Sequence, residues 1–73
     1  MDRTSALKVI RESFAYVKVE RIAVEYDLLC GGEVAKVFVR EDQLAEALWD
    51  NGAHARQAAM QSGLDVEVVL AVR

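Results

Sequence analysis

The residues of this chain whose types could do chemistry are spaced for recognition rather than catalysis. Lys36 and Arg40 share one parity of an apolar run, with Phe38 between them. Cations interleaved with an aromatic on an exposed strand can bind single-stranded nucleic acid. Equally, Phe38 can be buried with the two cations simply flanking it. Further along, Trp49-Asp50-Asn51-Gly52 reads as a tight turn, and His54 and Arg56 begin the helix after it. Trp49 serves either as a stacking platform or protein hot spot, or as a cover for the core that leaves its indole nitrogen in water. His54 and Arg56 either face phosphates or form a solvated helix face on which Arg56 pairs with Asp50 or another carboxylate. Glu41, Asp42, Glu46 and Asp50 make an acidic ridge, solvated by default and otherwise suited to a basic protein surface.

The same inventory argues against an enzyme. Cys30 is the only cysteine and His54 the only histidine. Intramolecular disulfides, cysteine-based zinc sites and protein-only transition-metal sites are therefore not expected, and no cofactor is implied. No Ser-His-Asp or Cys-His pairing is suggested by spacing, and scattered carboxylates do not by themselves make an active site.

The chain has 73 residues, enough for one small domain over 1–73. A domain of that size buries only about 60% of its unfolded surface, so its core is thin. Its composition, 53% hydrophobic and 29% charged, is that of a soluble globular domain. No apolar run approaches the roughly 20 residues of a membrane helix. Met1-Asp2-Arg3-Thr4 lacks the basic-then-apolar order of a signal peptide, so the expected compartment is the cytoplasm. A net charge of −3 leaves no basic surplus for phosphate neutralisation and favours a protein partner over nucleic acid.

Several elements must position these residues. Thr4 or Ser5 is the expected cap of a first helix, whose apolar stripe is Leu7, Ile10 and Phe14. Residues 17–29 read as a long strand. Val17 and Val19 lie on one parity and Ile22, Val24, Tyr26 and Leu28 on the other, so a bulge between Glu20 and Ile22 is expected to turn both sets to the core. Gly31-Gly32 marks a hairpin, with Cys30 in the turn, and a second strand spans 34–40. Its Ala35, Val37 and Val39 share one face and Val34 and Phe38 the other. Glu41 and Asp42 suit the positive end of the next helix, whose apolar face is Leu44, Ala45, Leu48 and Trp49. Asn51 and Gly52 break that helix, and Asn51 is a candidate cap for a third, 53–62. Ala55, Ala58, Ala59 and Ser62 let the third helix pack closely, and Gly63 is its expected C-terminal cap. Val66, Val68, Leu70 and Val72 alternate with Asp65 and Glu67 in a final strand. The order α-β-β-α-α-β gives an α+β layer fold, a three-stranded sheet with helices on one face.

The run from Val37 to Val69, and above all Glu41-Asp42-Gln43-Leu44 followed at a fixed distance by Ala55-Arg56-Gln57-Ala58-Ala59 and Ser62-Gly63, resembles the KH domains of the NusA type. The element order is that of the bacterial, type II KH fold. The resemblance covers nearly the whole chain in topology and about thirty residues in motif. It implies a turn that clamps a nucleic-acid backbone between two glycines, Gly-x-x-Gly. Here Trp49 stands in place of the first glycine, and Asp50 adds a charge that repels phosphate. Two functions follow from the resemblance. One is a small transcription regulator that binds RNA polymerase or the elongation machinery through protein contacts and modulates termination, antitermination or initiation, in the style of small phage-encoded regulators of the host polymerase. The other is a single-stranded RNA-binding module using Lys36, Arg40, His54, Arg56 and the retained Gly52.

Overall fold

The structure, a computed structural model of the chain, describes residues 2–29 and 31–71. Cys30 and Val72, assigned above to a turn and a strand, lie outside the described residues. Helix α1 spans Arg3–Ser13, strand β1 Val19–Asp27, strand β2 Gly32–Val39, helix α2 Glu41–Ala47, helix α3 Trp49–Ser62 and strand β3 Asp65–Leu70. The order is the expected α-β-β-α-α-β. The sheet runs β1-β2-β3, with β1 antiparallel and β3 parallel to β2. A parallel return needs a crossover, and α2 and α3 supply it.

Period two divides the sheet into two faces. Ala35, Val37 and Val39 of β2 are fully buried under the helices. Ile22 and Val24 of β1 and Val66 and Val68 of β3 pack beside them, together with Ile10 and Phe14 of α1 and Ala58 of α3. A register shift between Val19 and Arg21 lets Val19 and Ile22 both reach this core, as the slipped pattern in the sequence required. The other face pairs Arg21, Phe38 and Val69 across the strands, then Ala23, Lys36 and Glu67.

Several local expectations are corrected. Asp2, not Thr4 or Ser5, caps α1, because its carboxylate accepts the Ser5 amide at 2.7 Å. Strand β1 starts later than expected, since the Val17 amide donates to the Phe14 carbonyl in a turn. Tyr26 and Leu28 were expected to face the core but are exposed. The β1–β2 hairpin runs past the start of β3, where Asp65 meets Val34, so its tip has no third strand beside it. Of the two hairpin glycines only Gly31 takes a positive φ, 73°, while Gly32 already pairs with Asp27. The αL cap Gly63 is as expected, its amide donating to the Ala59 carbonyl.

Candidate functional site

The joint between α2 and α3 holds the only positive-φ non-glycine residues among the described residues. Asp50, Asn51 and Gly52 all adopt left-handed conformations, with φ of 54°, 55° and 79°. Asp and Asn tolerate that region better than other L-residues, because a short polar side chain can bond locally. Two backbone links close the turn on itself. The Gly52 amide donates to the Leu48 carbonyl at 3.1 Å, and the Arg56 guanidinium reaches back to the carbonyls of Asp50, at 3.1 Å, and Asn51. Arg56 therefore does bond within its own turn, but to backbone oxygens rather than the Asp50 carboxylate. Asn51, the expected cap of α3, sits in the left-handed segment at φ 55° rather than in the extended backbone of an N-cap.

Around the turn stands a short aromatic ladder. The Trp49 ring stacks on His54 with centroids 5.8 Å apart and planes 29° apart, and His54 meets the buried Phe14 at 5.7 Å. Trp49 is linked through His54 to the buried Phe14 and stays 58% exposed. The expected apolar face of α2 is thus corrected. Leu44 packs on the core and Ala47 is fully buried, whereas Ala45, Leu48 and Trp49 point outward. Leu44 and Ala47, three residues apart, fix the inward direction of a helix too short to bury more than one stripe. Glu41, Asp42, Glu46 and Asp50 are exposed, and none has an ion pair among the described residues.

Lys36 and Arg40 lie elsewhere and are already engaged. Lys36 holds Glu25 at 3.2 Å, and Arg40 faces Glu20 at 3.8 Å. The Glu25 hydrogen bond and charge, helped by Glu67 and Asp27, raise the Lys36 ammonium above its ordinary pKa. Phe38 is half-buried because the Arg21 guanidinium lies over its ring, 3.7 Å from the centroid. The strand cations and the turn are therefore two separate places, each locally neutralised or closed.

Sequence reasoning missed Arg21, Glu20 and Glu25. Once the hairpin fixes the register, Ala23 pairs with Lys36 and Glu25 becomes its diagonal neighbour. The register was not readable from Gly31-Gly32, since a two-residue turn there would set Lys36 opposite Asp27 rather than Ala23. No group of three or more potential metal ligands occurs among the described residues.

Fold and turn together define a small mixed-sheet α+β domain with a left-handed inter-helix joint and an exposed aromatic beside it. No protein-family model matches the chain, and no curated protein matches it.

Proposed function

We propose that this domain is a non-enzymatic docking module that acts through protein contacts. The observation that carries the proposal is the turn itself. Its carbonyls are held by Arg56, Asp50 adds a negative charge with no ion pair among the described residues, and beside them Trp49 stacks on His54 and is exposed. An exposed, orientationally fixed tryptophan is a common protein hot spot. A phosphate would meet carboxylate instead of the open amides and cations it needs.

The resemblance to NusA-type KH domains extends the proposal to a partner. Bacterial RNA polymerase or an elongation factor in the cytoplasm would be bound, and termination, antitermination or initiation modulated. The α-β-β-α-α-β order is the one that resemblance implies, and it supports this reading. A tagged pull-down from bacterial lysate, with and without RNase, tests it. Polymerase subunits retained after RNase support the proposal, and their absence at low salt overturns it.

One feature favours the single-stranded RNA alternative. Gly52 faces open space, with nothing within 4 Å of where a Cβ would sit. A Trp49→Gly change separates the two functions. It weakens partner capture if Trp49 is an anchor, and strengthens RNA binding if tryptophan merely blocks the clamp.

A further inference from the structure

We propose that the exposed face of α2 and its joint is a docking strip for a positively charged segment of a partner protein, with an arginine or lysine stacked on Trp49. This deepens the docking function and rests on it. At spacings of three and four, Asp42, Ala45 and Glu46 share one face of α2, Trp49 follows just beyond its end, and all four are exposed. Leu48, 46% exposed, borders them. The strip therefore has an apolar centre and an acidic rim, and it is exposed among the described residues.

Charge complementarity selects the occupant. Elsewhere the carboxylates of Glu20, Glu25 and Glu33 are matched by Arg40, Lys36 and Arg3. Along α2 and the turn, Glu41, Asp42, Glu46 and Asp50 have no cation opposite them among the described residues. Arg40, next to Glu41 in sequence, faces Glu20 instead, and Arg56 is turned onto backbone oxygens. His54 stacks against the indole, and Trp49 is 58% exposed, so much of its surface is open to a ligand. Tryptophan is the best aromatic platform for a cation, and adjacent carboxylates add to the attraction. An anionic ligand would meet like charge along the same strip. The exposed Leu28 and Leu29 at the hairpin tip offer no comparable guide to an occupant.

Trp49 is the only tryptophan, so its emission reports the site directly. The experiment titrates the full chain with three probes: an amphipathic peptide of Leu, Ala and Arg, the same peptide with Glu for every Arg, and oligouridylate. Peptide anisotropy gives the affinities. The expected result is that only the Arg peptide binds and shifts Trp49 emission. Trp49→Ala should weaken it roughly tenfold or more, as a central aromatic anchor does. Asp42→Lys with Glu46→Lys should weaken it about fivefold, while the control Glu12→Lys on α1 should leave it nearly unchanged. Circular dichroism confirms that each variant is folded. Binding of the Glu peptide or oligouridylate in preference overturns the proposal. So does an equal loss with Glu12→Lys, which would mean net charge alone is sensed. If Trp49→Ala abolishes capture of the cellular partner while the Arg peptide does not bind, docking at Trp49 stands and the basic occupant is refuted.

Discussion

Arg56 bridges backward over the joint it follows, its guanidinium donating to the main-chain oxygens of Asp50 and Asn51. A side chain from the first turns of α3 thus holds the left-handed segment that sets the angle between α2 and α3. Guanidinium suits the task because its rigid fork presents several donors at once. Arg56→Ala is expected to destabilise the domain by about 1 kcal/mol, the exposed setting reducing the value of a charge-assisted bond. Arg56→Lys should recover little of it, since a single ammonium does not reproduce the fork. Urea midpoints of the two variants check both statements.

The positive-φ positions give a second, opposed pair of effects. An alanine at Gly52 or Gly63 meets no atom within 4 Å, so only backbone conformation, at φ of 79° and 77°, opposes it. Each substitution should cost about 1–2 kcal/mol. At Asp50, φ 54°, glycine relieves the same strain but adds about 0.5–1 kcal/mol of unfolded-state entropy. Asp50→Gly should therefore stabilise by roughly 0.5 kcal/mol. A loss of stability in Asp50→Gly would mean that the carboxylate itself supports the turn.

Most of the architecture was legible because burial imposes a period. Ile10 and Phe14, the alternation Ala35-Val37-Val39, and the small residues Ala55, Ala58 and Ser62 all declare an inward face, and the slipped parity near Glu20 declared the bulge. The site was less legible, for a physical reason. Whether Trp49 continues the inward stripe of α2 depends on where the helix points once Leu44 and Ala47 are buried, and a seven-residue helix carries too few repeats to decide that. Lys36, Arg40 and Phe38 form a set in the sequence because they share one apolar run. Their actual partners, Glu25, Glu20 and Arg21, come from the neighbouring strand and follow only from register.

The thin core makes a sharp contrast between neighbours. Phe14 is among the largest fully buried side chains, whereas Tyr16, two residues on, is 86% exposed. Phe14→Ala should cost about 3–5 kcal/mol. A 73-residue domain has roughly 4–11 kcal/mol in all, so this one change removes much of the margin and also withdraws the support beneath His54. Tyr16→Ala should stay within about 0.5 kcal/mol of the parent. Thermal melts with a near-ultraviolet signal from Trp49 would show whether the aromatic ladder loosens before the fold is lost.

Stability should also fall at both ends of the pH scale through two identifiable groups. Asp2 has its pKa lowered by the hydrogen bond from the Ser5 amide, so its contribution is present above the unfolded-state value and is lost as pH falls through the folded one. That loss belongs below about pH 4. Lys36 has its pKa raised, first by the Glu25 hydrogen bond and then by the charges of Glu25, Glu67 and Asp27. Its contribution is complete below the unfolded-state value, near about pH 10.4, and is lost as pH rises through the folded one. Asp2→Asn keeps a side chain able to cap α1 but removes the titration, so its melting temperature should decline less steeply in acid than that of the parent. Glu25→Gln removes the main cause of the Lys36 shift and should flatten the alkaline limb. Melting temperature against pH for the three proteins is the measurement, and parallel acid limbs for the parent and Asp2→Asn would exclude Asp2 as the group lost there.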